Sequence, residues 1–322
     1  MLPTVVVGGY LGAGKTTLVN RVLRGAGGRR IAVVVNDFGE IGIDADLIES
    51  RDGDVLNLAG GCVCCAVGSD LVAGLMALPE RIAPPDVVLI ETSGVALPGA
   101  VARAVRLVPG LDADGIVVVA DAETIRTRAD DPWVGDTVRQ QLAEADLLVL
   151  NKTDLIGAQA LGALHAWLAD VAPRAVRIDA VDADVPPDAV LGAAAAAQPP
   201  LPPLSAGRAM RSGVLRPALG LFESRSIVLD GALDPQALAR ALADPALGLV
   251  RAKGVVRDGD GVPWVVQAVG LRVRVTPAPP GTPAADPAAS ARLVLIGLRG
   301  ALDAGMIDAR LGLHGAAAPD RS

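Results

Sequence analysis

Val5-Val6-Val7-Gly8-Gly9-Tyr10-Leu11-Gly12-Ala13-Gly14-Lys15-Thr16-Thr17-Leu18-Val19-Asn20 decides the fold. An apolar run, a glycine-rich loop and a Lys-Thr pair heading a second apolar segment read as strand, loop and helix. That is the context a Walker A phosphate loop requires. Glycines let the backbone bend so that several N–H groups converge on one phosphate, at a helix N-terminus whose dipole favours anions. Gly12, Ala13, Gly14, Lys15, Thr16 and Thr17 are the candidate phosphate-binding residues. Lys15 would reach the β and γ oxygens, and the Thr16 hydroxyl would ligate Mg²⁺. A glycine-rich turn with a surface lysine is the competing reading, and the flanking strand and helix weigh against it.

Composition supports a special use for that lysine. The chain has 29 basic residues, of which only Lys15, Lys152 and Lys253 are lysine. A lysine kept in an arginine background suggests a need for a slim, compact ammonium. Apolar residues make up 51% of the 322 positions and aromatics only 2%, so the core is built from Val, Leu, Ile and Ala. Mean hydropathy is +0.44, yet no uninterrupted apolar run approaches the ~20 residues of a spanning helix. The first residues lack the basic region of a signal peptide. No membrane role and a cytoplasmic setting are therefore expected. A net charge of −7 argues against nucleic acid as the main partner.

Downstream of the loop, apolar runs alternate with helix-length segments, the pattern of a parallel sheet with covering helices. Strands are expected at 4–8, 31–36, 54–58, 86–91, 115–121, 146–151 and 175–178, and helices at 16–24, 69–82, 98–107, 133–145 and 158–172. From about residue 193 the chain turns Ala/Pro-rich and reads as a linker. Beyond it, short runs at 223–229, 249–257, 263–269, 271–276 and 291–297 surround helix candidates at 235–242 and 300–311. The expected fold class is α/β, a P-loop NTPase parallel sheet with covering helices, followed by a smaller α+β C-terminal domain. The expected boundaries are 1–192 for the nucleotide domain, 193–220 for the linker and 221–316 for the second domain.

Asp86-Val87-Val88-Leu89-Ile90-Glu91 ends in a carboxylate that could hold Mg²⁺ directly or through water, and Gly94 just beyond could let the backbone sense a γ-phosphate. An ordinary strand-end acid is the bland alternative. Asn151-Lys152-Thr153-Asp154 follows a later apolar run. Asp154 can accept two hydrogen bonds from the N1–H and amine of guanine. Adenine lacks that donor pair and would leave the carboxylate unmatched, so GTP is favoured over ATP. Lys152 can lay its stem over the purine, and Asn151 can bridge base and phosphate loop.

All three cysteines, Cys62, Cys64 and Cys65, sit within four residues. Three thiolates are soft ligands suited to Zn²⁺, but a four-coordinate site needs help from elsewhere. A redox pair and inert thiols are the alternatives. Asn36-Asp37-Phe38-Gly39-Glu40 stands between phosphate loop and cysteines, where Asp37 and Glu40 are candidates for positioning water or completing a metal site. Lys15, Asp37 and Glu91 are thus the candidate catalytic residues.

Together, residues 8–20, NDFGEIGID (36–44), GGCVCC (60–65), ETSGVALP (91–98), NKTD (151–154), RAKG (251–254) and RLVLIG (292–297) resemble the CobW-like GTPases, a family of metal chaperones and metal-insertion proteins. The resemblance implies a P-loop GTPase domain and a CobW C-terminal domain, with GTP hydrolysis coupled to metal transfer to a client metalloprotein. It also implies that Cys64 and Cys65, with Cys62 and Glu40, bind the transferred ion. Zn²⁺ is the expected cargo and Co²⁺ the alternative. The chain departs from many relatives in having only two histidines, His165 and His314, and in carrying Asp37 where glutamate is usual. A GTP-dependent assembly switch with structural cysteines and a thiol redox sensor are the competing functions. A homodimer is left open.

Overall fold

Continuous Val, Ile and Leu runs make strands buried on both faces, and this is what the computed structural model contains. It describes residues 1–35, 55–57, 75–76, 85–192, 222–229, 232–278 and 291–298, with residues 300, 302 and 307. The chain divides into two compact units, Met1–Leu191 and Gly192–Ser322.

In the first unit the described strands are β1 (Leu2–Gly8), β2 (Ile31–Val35), β3 (Val55–Asn57), β4 (Val87–Glu91), β5 (Leu111–Asp121), β6 (Leu147–Asn151) and β7 (Val176–Asp179). They form one parallel sheet in the order β3-β2-β4-β1-β5-β6-β7. The described helices are α1 (Lys15–Arg24), α2 (Pro98–Val105), α3 (Ile125–Ala129), α4 (Gly135–Ala143), α5 (Ala158–Val171) and α6 (Pro187–Leu191). β1 is central, flanked by β4 and β5, so its outgoing loop opens where the connections diverge. In open α/β sheets that crevice is where ligands bind.

The expected α/β class stands, with local corrections. β5 starts at Leu111 rather than 115, because Asp112 and Asp114 interrupt the apolar pattern yet are buried in the strand. Helix α4 starts at Gly135, since the Asp131 carboxylate accepts from the Trp133 and Val134 N–H groups and holds them in a turn. Short α3 and α6 had no periodicity long enough to read. Of the helix expected at 69–82, only Leu75 and Met76 are described, both helical.

The second unit is antiparallel: β8 (Phe222–Leu229), β9 (Leu249–Arg257), β10 (Pro263–Val269), β11 (Arg272–Pro277) and β12 (Ala291–Leu298), in the order β11-β10-β9-β12-β8. Helix α7 (Pro235–Leu242) starts at Pro235 behind an Asp234 side-chain cap. Its Leu238 and Leu242 pack with Ala252, Val266 and Leu293. Strand register puts Arg251, Lys253, Arg257, Arg272, Arg274 and Arg292 on the opposite face of this sheet. This unit has 14 basic and 10 acidic residues, against 15 and 26 in the first. The net charge of −7 conceals that split, so the argument from net charge against nucleic acid does not extend to this face. The expected linker at 193–220 and most of the helix expected at 300–311 lie outside the described residues.

Candidate functional site

The loop between β1 and α1 bends through left-handed glycines. Gly14, with φ 103°, forms the head of α1 and offers the first-turn N–H groups no side-chain cap. A Cβ on Gly14 would lie 2.5 Å from Asn151 Nδ2, so only glycine lets the two segments approach. Inside the loop the Ala13 N–H donates to Tyr10 O at 3.3 Å, and Lys15 Nζ folds back to Tyr10 O at 3.4 Å. An uncapped helix start with a lysine arched over it is a cradle for an anion.

The ends of the neighbouring strands close on this cradle. Glu91, at the end of β4, pairs in register with Val7 of β1. Its Oε1 accepts the Thr16 hydroxyl at 2.8 Å. Beside it the Thr92 Oγ1 is buried with no hydrogen-bond partner among the described residues. Hydroxyl and carboxylate oxygens gathered at the foot of the cradle are the hard donors that Mg²⁺ prefers, so the residues present fit that ion. The backbone then turns through Gly94, where a Cβ would sit 2.8 Å from Leu11 N. Buried Gln141 of α4 grips this turn, its Nε2 donating to Gly94 O at 3.1 Å and Ala96 O at 2.8 Å.

On the other side stand β6 and β7. Asn151 Nδ2 donates to Ala13 O at 2.9 Å, and Asn151 Oδ1 accepts the Ala183 N–H at 2.7 Å. One buried amide thus ties the phosphate loop to the segment after β7. Lys152 has a left-handed backbone, φ 61°, and its Nζ lies 2.6 Å from Asp121 Oδ2 at the end of β5. Thr153 N and Oγ1 both donate to Ala180 O, which fixes the short 3-10 turn Thr153–Leu155 with Asp154 exposed on it.

Gly12, Ala13, Gly14, Lys15, Thr16, Thr17, Glu91, Asn151, Lys152 and Asp154 therefore gather at one end of one sheet. Asp37, Glu40, Cys62, Cys64 and Cys65 lie outside the described residues. His165 contacts Asp179 at 3.0 Å on the surface, in keeping with an ordinary helix-packing role. Sequence reading gave no role to Asp121, Gln141 or Ala183. Asp121 carries the same signal as Glu91, an acid closing an apolar strand. Gln141 and Ala183 carry none, because their partners are backbone atoms distant in the chain.

Residues 3–178 match the family model described as "CobW/HypB/UreG, nucleotide-binding domain", and residues 222–312 match "Cobalamin synthesis protein cobW C-terminal domain". The zinc chaperone CobW of Pseudomonas aeruginosa is 36% identical over 229 residues, covering 61% of this chain and 61% of that protein. The zinc-regulated GTPase metalloprotein activator 1 of Schizosaccharomyces pombe is 35% identical over 174 residues, covering 51% of this chain and 42% of that protein. The chain thus spans about three-fifths or less of the curated relatives it matches. Among solved structures, the Zn(II)-bound YjiA GTPase from E. coli is 23% identical with a TM-score of 0.46, covering 97% of this chain and 98% of that one. No helix among the described residues is long and apolar enough to cross a membrane.

Proposed function

The chain belongs to the CobW/HypB/UreG family, and on that premise we propose that it binds and hydrolyses GTP to GDP and phosphate and hands a transition metal to a client metalloprotein. The observation that carries the nucleotide reading is the Asn151 bridge, which ties the phosphate cradle to the segment after β7 that also anchors the Thr153–Leu155 turn bearing Asp154. In this reading Gly12 to Thr17 hold the phosphates, and Lys15 offsets the charge on the β and γ oxygens. Thr16 and Glu91 would hold Mg²⁺, which supplies charge neutralisation at the transferring phosphoryl group. Asp154 accepts from guanine, and Lys152 covers the ring. Asp37 and Glu40 are the candidates for positioning the attacking water or completing the metal site. A slow intrinsic rate is part of this reading, since the sequence places no arginine finger or water-orienting glutamine beside the described cradle.

The metal half of the proposal rests on the names of the relatives, which include zinc chaperones, and on the thiolates of this chain. Cys62, Cys64 and Cys65 with Glu40 would take Zn²⁺ as cargo, in a cytoplasmic setting. Because the second unit matches a domain described as a cobalamin synthesis protein's, Co²⁺ is the alternative cargo. The test of the nucleotide half is calorimetric titration of the chain with GDP, non-hydrolysable GTP and ADP in Mg²⁺. Guanine nucleotides should bind at least ~10-fold tighter than ADP, and Lys15→Ala should weaken the GTP analogue by about 100-fold. Equal binding of ADP and GDP would remove the base assignment.

A further inference from the structure

The segment that follows β7 runs back along the phosphate-loop helix, and Arg21 grips its first turn. Arg21 of α1 reaches Asp182 Oδ2 through Nη2 at 2.6 Å and Asp184 Oδ1 through Nη1 at 3.1 Å. Between those two acids lies Ala183, whose N–H donates to Asn151 Oδ1. Asp182 and Ala183 both have left-handed backbones, φ 51° and 52°, although neither is glycine. Consecutive non-glycine residues in that region are strained and persist only where surroundings over-determine them. A planar guanidinium clamping the residues on either side of Ala183 supplies that constraint.

We propose that Arg21 is a positioning residue for the base side of the nucleotide site. The contacts form a closed circuit: Ala13 to Asn151, Asn151 to Ala183, Asp182 and Asp184 to Arg21, and Arg21 along α1 back to the phosphate loop. Arg21 stands on the second turn of the helix that Gly14 and Lys15 begin, so phosphate cradle and purine-side segment share one rigid support. Remove the guanidinium, and the strained turn relaxes into other conformations. The Asn151 amide then loses its second anchor. A nucleotide must select the ordered state from that ensemble, and its apparent affinity falls by the fraction ordered. The same segment is fastened further on by Arg29 to Asp188 and by close packing of Gly25 on Pro187, so losing Arg21 loosens the turn without releasing the strap.

This inference rests on the guanine-nucleotide reading above, and the test separates the two. GDP affinity would be measured by calorimetry with Mg²⁺ on the full chain, beside the thermal midpoint of the nucleotide-free protein. Arg21→Ala should weaken GDP about tenfold with little change in the apo midpoint, and Arg21→Lys, which can satisfy one acid, should fall between. Adding Asp182→Gly to Arg21→Ala should recover part of the affinity, since glycine adopts the left-handed backbone without strain. Should Arg21→Ala not fold, Asp182→Asn with Asp184→Asn leaves α1 intact and carries the same expectation. A wild-type chain that does not take GDP overturns the nucleotide reading. A wild type that binds GDP, with Arg21→Ala binding within twofold of it, overturns only the role of Arg21. So does a GDP loss in Arg21→Ala that Asp182→Gly fails to reduce.

Discussion

In the proposed guanine site, Lys152 and Asp154 would divide the work of recognising a base. Lys152 keeps a left-handed backbone, a conformation that costs a non-glycine residue on the order of 1–3 kcal/mol. Two bonds from Thr153 to Ala180 O, and the Asp121 carboxylate on the ammonium, hold it in place. With its charge spent on Asp121, the side chain offers its methylene stem as a flat apolar surface. Asp154, two residues further on, stays exposed and available to donors. Asp154→Asn should therefore weaken GDP by about 10–100-fold, as expected when charge-assisted hydrogen bonds worth ~1.5–3 kcal/mol are lost. The same variant should gain xanthosine diphosphate, because the new amide can donate to the 2-oxo group. Calorimetry with both nucleotides reads this directly, and an unchanged GDP affinity would show that Asp154 does not touch the base.

Elements differ in how much of themselves the sequence declares. Buried parallel strands are written as unbroken Val/Ile/Leu runs, so β1, β4 and β6 are legible to within a residue or two, and with them the Glu91 and Asn151 that end them. The phosphate loop is legible because its glycines are local necessities. What stays hidden depends on contacts between distant segments. Nothing near Gln141 announces that it holds Gly94 O and Ala96 O from 45 or more residues away. Nothing near Arg21 announces the acids that it clamps 161 and more positions later. Gln141→Leu tests the first of these. The swap nearly conserves volume but leaves two buried carbonyls without their donor. The expected loss is about 2–3 kcal/mol of unfolding free energy by urea denaturation. A loss under ~0.5 kcal/mol would mean that water or rearranged backbone replaces the amide.

At the scale of the molecule, the question is how a nucleotide could govern a metal. One register row crosses the first sheet through Asn57, Val35, Glu91 and Val7. Adjacent strands lie about 4.8 Å apart, so the departure points of four segments fall within roughly 15 Å of one another. From that row the chain leads to the phosphate loop after Val7 and to Asp37 and Glu40 after Val35. It leads likewise to Cys62, Cys64 and Cys65 after Asn57. Glu40 is five residues beyond Val35 and Cys62 five beyond Asn57. Each can travel at most ~17 Å from its strand, enough for carboxylate and thiolates to meet beside the Glu91 end of the cradle. In the proposed cycle, bound GTP favours an arrangement of 36–44 that brings Glu40 to the thiolates, and hydrolysis withdraws it. A nucleotide can shift metal affinity only by as much as its own affinity differs between the two arrangements. Zinc should therefore bind at least ~10-fold tighter with a non-hydrolysable GTP analogue than with GDP, in a competition titration against a chromogenic chelator. By linkage, zinc should tighten the GTP analogue over GDP by the same factor. Cys64→Ala should lose the zinc, and with it the zinc-dependent preference for the GTP analogue, while binding nucleotide as the zinc-free wild type does. Identical zinc affinities in the two nucleotide states would break the coupling, and the thiolates would then belong to a separate device on the same scaffold.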